Sequence, residues 1–572
     1  MANTNWMKPV RRFFRLIAED KKDITNIYLF AFFSGIISLS LPLGVQAIIN
    51  IVMGGRVSSS WILLIIIVVL GTALVGILQI LQLSVTEIVQ QRIFVRSAFE
   101  FSYRMPRLKI TEIMNDHPPE LVNRFFDTLN VQKGLPKILT DFPTAVLQIV
   151  FGLLLLSFYH PIFIMFGLIL LFLLFSILYF TGPKGLASSL EESKYKYKVA
   201  FWLEELARTM ITFKLAGQTD LPNQRTDKLT AGYLRARKKH FKILVTQYIF
   251  IVLFKVIITG GLLLIGGFLV INNQINIGQF VAAEIVIIII LASSEKLIRS
   301  LETIYDVLTG LEKIGHVMDI PLDNDEANSI RLNEKAAAIG MELSNFSLQF
   351  PRYAEPVLSG INLKITPGEK ICVSGSEGSG KTVLLQALSG LYTDFSGALQ
   401  YNGHSINSLD LGQLRSLIGD DFSMEDLFDG SLGENVSMGR PISDDDILKA
   451  LHLVGLEEFL KELANGLRTH MVPGGKRIPN SISRRIILSR CFAQNPPILL
   501  LDNYPSAIEH SVEELSDMIT SKSATWTAVV ASNHPAMASR CDRIIIMQKG
   551  KIIFDGTWKE VQTKPELAKL YS

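Results

Sequence analysis

Apolar and polar positions divide this chain near residue 300. Before that point, long apolar runs alternate with polar, charge-rich segments. The runs lie near 25–48, 61–83, 142–159, 162–180, 248–271 and 277–293. A hydrocarbon core about 30 Å thick takes about 20 apolar residues of helix, so the pattern predicts six membrane spans. Only His160 and Pro161 separate the third from the fourth, which predicts a tight turn there. Past residue 300 the pattern changes. The polar stretch "PLDNDEANSIRLNEKAA" (321–337) reads as a linker. Strand-like apolar runs then alternate with helical segments to the end, as in an α/β domain. The expected architecture is an α-helical six-span membrane domain over 1–320, joined through 321–337 to an α/β domain over 338–572.

Composition agrees. The chain is 49% hydrophobic with a mean hydropathy of +0.32, and the excess sits in the first half. A net charge of +3 gives no case for a nucleic-acid partner; the partner implied by the first half is the lipid bilayer. Cys372, Cys491 and Cys541 all fall in the second half. They have neither metal-ligand spacing nor a disulfide framework, so reduced, buried thiols are expected.

Charge orients the spans. Residues 1–22 carry Lys8, Arg11, Arg12, Arg15, Lys21 and Lys22, and the segments 84–141 and 181–242 are rich in Lys and Arg. The three short connections on the other side hold one cation, Arg56. Basic loops stay cytoplasmic, so both termini, both long segments and the second half are expected inside. "WMKPVRRFFRLIA" (6–18) mixes aromatics with arginines and reads as a helix along the inner membrane surface. The two long inner segments read as helices that continue into the cytoplasm and turn there.

Two ionisable residues fall inside spans, Lys255 and Glu284. Counted from the outer turn near residue 274, Lys255 is about 28 Å deep and Glu284 about 15 Å, at ~1.5 Å per residue. They are not level. Lys255 is expected to reach the inner interface, and Glu284 to face a polar cavity.

The candidate chemistry lies in the second half. "KICVSGSEGSGKTVLLQALSG" (370–390) fits G-x-x-x-x-G-K-T. It follows an apolar strand and opens a helix, the context that phosphate loop needs. Gly375, Ser376, Glu377, Gly378, Ser379, Gly380, Lys381 and Thr382 are expected to cradle the phosphates of ATP, with Lys381 on the terminal phosphates. "ILLLD" (498–502) reads as a buried strand delivering a carboxylate to a metal. Thr382 and Asp502 are the expected Mg²⁺ ligands.

With these motifs the chain resembles ABC exporter half-transporters along essentially its whole length. Its membrane half is most similar to the type I secretion and peptide-exporter branch. The resemblance implies a dimer working by alternating access in a bacterial inner membrane, moving a peptide or small protein out of the cytoplasm. It makes 6–18 the elbow helix. It places coupling helices near "HPPELVNRFFDTL" (117–129) and "FWLEELARTMITFKL" (201–215), and Phe350 of "FSLQFP" where an aromatic stacks on adenine.

The same resemblance exposes departures. Asn503 stands where the family has its catalytic Glu, Ser423 where it has a metal-reaching Gln, and Asn533 at the switch-histidine position, with His534 one residue late. The signature L-S-G-G-Q is replaced by "IPNSI" (478–482), where Asn480 and Ser481 are expected to do no more than cap the following helix. Asp420, Asp421, Glu425 and Asp426 read as a solvated acidic loop. An Asn cannot act as a carboxylate base, so no residue is assigned a catalytic role, and ATP binding without efficient hydrolysis is implied. A non-catalytic half paired with an intact second half-transporter is the favoured reading. A slow homodimer and a non-transporting, ATP-sensing membrane scaffold are the alternatives.

The charge bias sets the first test. Single cysteines placed at Ser58 and Asn273 should react in intact cells with a membrane-impermeant thiol reagent, and one at Gly217 should not. Labelling at Gly217 would refute the orientation.

Overall fold

The computed structural model describes residues 7–54, 59–114, 118–323, 330–333, 336–351, 353–421, 427–475, 478–502 and 512–571. Contacts divide the chain into two units. One is Met1–Arg107 with Asn115–Ile320; the other is Leu108–Met114 with Pro321–Ser572.

The first unit is helical, with six apolar segments long enough to cross a membrane among the described residues. Ser59–Arg104, Ile162–Arg208, Leu221–Ile271 and Ile277–Met318 are single helices of 42 to 51 residues. At ~1.5 Å per residue they run about 63–76 Å, twice a ~30 Å hydrocarbon core. Each therefore carries a polar extension as long as its apolar part. The first apolar segment is two helices, Lys21–Ser38 and Ser40–Met53, broken at Leu39. Pro42 has no N–H for the Ser38 carbonyl, which accounts for the break. The His160–Pro161 turn is tight: the His160 carbonyl accepts from Phe163 N–H at 3.0 Å and its Nδ1 from Ile162 N–H at 3.2 Å.

Small residues and buried polar pairs fix the extensions. Gly185 sits against the Tyr305 ring, where any Cβ would overlap it. The Tyr305 hydroxyl accepts from Gln247 Nε2 at 2.8 Å, which also donates to Thr181 Oγ1 at 2.9 Å. His240 is buried and bonds Ser188 Oγ at 2.8 Å. Burial lowers the His240 pKa, so the ring is neutral at pH 7.

The N-terminal helix, Met7–Glu19, turns one face to the rest of its unit. Val10, Phe13, Leu16 and Ile17 face protein. Arg12 bonds the carboxylates of Glu312 and Asp319, and Gly315 leaves room for its guanidinium. The hinge after this helix is clamped as well, through Asp20 and Asp23 to Arg92 and Arg96.

Lys255 has a partner that the sequence did not point to. It pairs with Glu295, which also binds Arg299 at 2.7 Å. Glu295 is 21 residues past the turn near 274 and Lys255 is 19 before it, so the two are level. Glu284 is half-buried and has no ion pair among the described residues.

The second unit is built on a six-stranded sheet. Its order is Lys551–Gly556, Arg543–Gln548, Lys370–Gly375, Thr527–Ala531, Ile498–Leu501, Ile418–Asp420, with only the first strand antiparallel to its neighbour. Both faces are covered, so its strands are continuous apolar runs rather than alternating ones. Ile371, Val373, Leu500, Val529 and Ile545 enter one core; Cys372, Leu499, Leu501, Val530 and Ile546 enter the other. The three cysteines are buried free thiols. A second, antiparallel sheet runs Leu358–Ile365, Met341–Leu348, Ser396–Tyr401, His404–Ser405. Leu108–Met114 joins this unit although it lies between two apolar segments in sequence. Leu108 bridges Leu322, and Lys109 Nζ and Thr111 Oγ1 reach the Asp394 carboxylate at 2.6 and 2.9 Å.

The Lys255–Glu295 pair is testable by a double-mutant cycle. Glu295→Leu alone should cost ~1–2 kcal/mol, less than the ~3–5 of a fully buried pair, because Lys255 keeps 37% of its side chain exposed. Adding Lys255→Met should recover most of the loss in thermal unfolding of the detergent-solubilised protein.

Candidate functional site

The Lys370–Gly375 strand lies inside the sheet between Thr527–Ala531 and Arg543–Gln548. Its carboxyl end opens into the loop Ser376–Gly380, and the helix Lys381–Leu388 follows. Ligands of open α/β sheets bind at such strand ends. Gly375, Gly378 and Gly380 take φ of 150°, 71° and 102°, conformations in which a side chain is strained. These turns bend the loop around a concavity at the helix N-terminus, where free N–H groups and the helix dipole favour an anion.

Lys381 Nζ lies over this loop, donating to Gly375 O at 2.7 Å and Ser376 O at 3.0 Å. Burial lowers its pKa, with the charges of Asp502 and Glu377 opposing. Thr382 Oγ1 donates to Asp502 Oδ2 at 2.6 Å. The strand Ile498–Leu501 has thus brought its carboxylate to the first turn of the phosphate-loop helix. Phe350 is only 9% exposed, its ring 5.2 Å from that of Tyr392. Tyr353 stands edge-on to it at 6.4 Å and is 63% exposed, so Tyr353 is the accessible ring of the pair.

Asn533 has a different occupation from the one its position suggested. Its Oδ1 accepts from Gly375 N–H at 3.1 Å and its Nδ2 donates to Gly375 O at 3.0 Å. The amide clamps both backbone groups of the residue that opens the loop, which a histidine at this position cannot reproduce with one donor and one acceptor across a ring. His534 turns away: its Nδ1 accepts from Ala536 N–H at 3.2 Å, capping the short helix Pro535–Ala538.

Two expectations need correction. Asn480 and Ser481 do not cap the helix Asn480–Phe492. They are its first two residues, Pro479 occupies the cap position, and among the described residues no side-chain cap bond is made there. Asp421 is not part of a solvated loop. The strand Ile418–Asp420 pairs with Ile498–Leu501 in parallel register, Asp420 opposite Leu500, so the following residue meets the end of the neighbouring strand. Asp421 Oδ1 accepts from Asp502 N–H at 2.6 Å. Burial pushes its carboxyl up to about 8, with that N–H opposing and the charges of Asp502 and Asp420 adding. Sequence reading passed over Asp421 because charged residues surround it; the register with "ILLLD" was the available signal. Ser423, Asn503, Glu425 and Asp426 lie outside the described residues.

A phosphate-loop domain joined to six membrane-spanning helices is the build of a nucleotide-driven membrane transporter. Residues 358–505 match the ABC transporter family and residues 24–294 match its transmembrane region. The chain belongs to the ABC transporter family, and the match implies ATP binding. Its fold is that of a bacterial Atm1-family ABC exporter solved with ATP bound, with a TM-score of 0.81 over 96% of this chain and 98% of that one at 17% identity. Among curated relatives, the alpha-hemolysin translocation ATP-binding protein HlyB of Escherichia coli O157:H7 is 27% identical over 59% of this chain and 48% of its own length. The mycobactin import ATP-binding/permease protein IrtB of Mycolicibacterium thermoresistibile is 28% identical over 51% of this chain and 50% of its own. The chain spans about half the length of the curated relatives it matches. It is a multi-pass membrane protein, and exporters of this family work as dimers.

The Asn533 clamp predicts a loss. Asn533→Ala removes two hydrogen bonds worth ~1 kcal/mol each, so ATP-analogue affinity should fall ~5- to 30-fold with the fold intact. Equal affinity in equilibrium binding would show that the loop holds its shape without Asn533.

Proposed function

We propose that this chain is the ATP-binding, weakly hydrolytic half of a heterodimeric exporter in a bacterial inner membrane, with both termini cytoplasmic. The observation that supports it most is the contrast within one site. The phosphate loop is fully formed and its helix meets Asp502, while Asn533 is committed to the loop backbone and the sequence places Asn503 and Ser423 at the hydrolytic positions.

Binding needs little beyond what the loop offers. Backbone N–H groups of Ser376–Gly380 and the helix N-terminus hold phosphate oxygens, and Lys381 swings from its own carbonyls to the terminal phosphates. Thr382 and Asp502 offer hard oxygen donors 2.6 Å apart, which suits Mg²⁺. Mg²⁺, when bound, neutralises phosphate charge and orients the chain of phosphates. Phe350, buried against Tyr392, supports Tyr353, and this aromatic pair takes the adenine. Hydrolysis lacks a base to orient and activate water, and losing positioned charge costs orders of magnitude in rate. With "IPNSI" in place of the signature, this chain also gives little to a nucleotide held by a partner. The drive for transport therefore comes from a second half-transporter with intact motifs, and ATP on this chain holds the pair together. At ~100 times its dissociation constant, ATP stabilises the bound form by ~2.7 kcal/mol. A peptide or small-protein cargo moving outward accords with the likeness to HlyB. Glu284, half-buried and without an ion pair among the described residues, is the intramembrane candidate for contact with it.

The purified chain alone should bind ATP analogues and hydrolyse ATP near background, and Asn503→Glu alone should raise the rate less than a hundredfold, because residues acting as a unit are not additive. Lys381→Ala should weaken nucleotide binding at least tenfold without impairing membrane insertion. Fast hydrolysis by the chain alone would establish the homodimer. Binding unchanged in Lys381→Ala would make the phosphate loop vestigial and favour a scaffold.

A further inference from the structure

The helices Ile162–Arg208 and Leu221–Ile271 run side by side. Two buried hydrogen bonds fix their relative height: Ser188 Oγ with His240 Nδ1 at 2.8 Å, and Gln247 Nε2 to Thr181 Oγ1 at 2.9 Å. Counting along both helices from these pairs sets Phe180 level with Tyr248. The apolar runs 162–180 and 248–271 therefore stop at one height, which marks the edge of the hydrocarbon. Tyr179 and Phe180 are exposed there, as aromatic side chains at a membrane interface are.

One face of the second helix changes character at this edge. Residues seven apart share a face. Lys228, Arg235, Lys242, Ile249 and Val256 form such a series, and all are exposed. His240, Gln247, Ile251, Phe254 and Ile258 are buried on the other side. The series is aliphatic within the hydrocarbon and basic beyond it. On the first helix Lys184 is exposed and stands seven residues before Glu191, on the same face. Glu191 binds Lys239 at 2.6 Å, and Lys239 precedes Lys242 by three residues. Lys184 and Lys242 thus share one side of the helix pair, and their heights differ by about 3 Å. The neighbouring acids are occupied, Glu191 by Lys239 and Glu192 by Arg237. Among the described residues Lys184, Lys238 and Lys242 make no ion pair.

We propose that Lys184 and Lys242 hold the headgroup phosphate of an anionic phospholipid whose chains lie along Ile249 and Val256. At ~1.5 Å per residue Lys184 is about 6 Å and Lys242 about 9 Å past the hydrocarbon edge. A headgroup layer is roughly 5–8 Å deep on each side, and lysine stems reach back toward it. Lys238, also exposed and one turn farther out, adds its attraction over a Debye length of about 8 Å. Anionic lipid gathers in the cytoplasmic leaflet, the side to which the proposed orientation assigns these residues. A lipid suits this face better than another helix does. Inside the apolar segments the helices of this unit meet through glycine, Gly152 against Ile290 and Gly266 against Phe280, as helices in lipid do; Ile249 and Val256 present bulky side chains instead. Because the two lysines come from different helices, one phosphate between them ties the pair to the bilayer at a fixed height. None of this depends on nucleotide.

The test uses the full-length chain in phosphatidylcholine nanodiscs. A fluorophore sits on Thr246→Cys, an exposed position one turn from Lys242; the three native thiols are buried. Nitroxide-labelled phosphatidylglycerol or nitroxide-labelled phosphatidylcholine is titrated in as quencher. Half-quenching should need at least fivefold less phosphatidylglycerol, and added salt should reduce that preference. Lys184→Gln and Lys242→Gln should each cut it about fivefold. Lys228→Gln removes the same charge from the same face about 30 Å from the edge and should leave it unchanged. All three side chains are exposed, so folding is not at risk. Equal quenching by both lipids in the wild type overturns the proposal. So does a preference that survives Lys184→Gln and Lys242→Gln, or one that Lys228→Gln lowers equally, since the cations then act only as a general field. A fluorophore that neither lipid quenches means that protein covers this face, which also overturns it.

Discussion

A backbone N–H or C=O inside hydrocarbon has no water to bond with, and the first unit of this protein follows from that constraint. Each apolar segment satisfies its own backbone by being helical. Because a helix is costly to nucleate and cheap to extend, the helices run on for tens of residues past the apolar part. The result is a set of rods 63–76 Å long by ~1.5 Å per residue. A displacement at one end of such a rod is felt at the other, which suits a protein that must couple distant events.

The rods are held together by close approach and by paired polar groups, in their extensions as in their apolar parts. Gly185 lets Tyr305 come near, and the Tyr305 hydroxyl closes a buried bond with Gln247. Lys255 and Glu295 solve the same problem for charge, each supplying what the surroundings withhold from the other. Arg12 does so at the polar end, tying the N-terminal helix to Glu312 and Asp319. In each case the polar group is tolerated because its partner is fixed by a neighbouring helix.

The nucleotide unit shows a different economy. Its phosphate loop is kept whole and is reinforced by Asn533, whose side chain holds both backbone groups of Gly375. The acidic residues around it are divided between Asp502, in contact with Thr382, and Asp421, in contact with Asp502. On the proposed function, a phosphate loop without a carboxylate base at position 503 would favour a long-lived bound state over turnover. Asp421 and Asn533 are the two residues that give this reading its physical content, and neither belongs to the loop motif itself.

The sequence by itself determined the six apolar helices, the α/β unit and the phosphate loop, because each is a local property. Apolar length, strand-like runs and a glycine-rich turn before a helix do not depend on distant residues. It also carried the depth count that ruled out a Lys255–Glu284 pair. Only the tertiary structure supplied Glu295 as the partner, set Asn533 against Gly375, turned His534 to the Pro535–Ala538 helix, buried Phe350 behind Tyr353 and brought Asp421 to Asp502. It also assigned Leu108–Met114 to the second unit and left the Asn480–Phe492 helix without a side-chain cap. The pairs Lys255–Glu295, Phe350–Tyr392, Asp421–Asp502 and Gly375–Asn533 join residues 40 to 158 positions apart. Their energies arise from packing and from charges brought together by the fold, and periodicity along a single chain holds no record of which distant groups will meet.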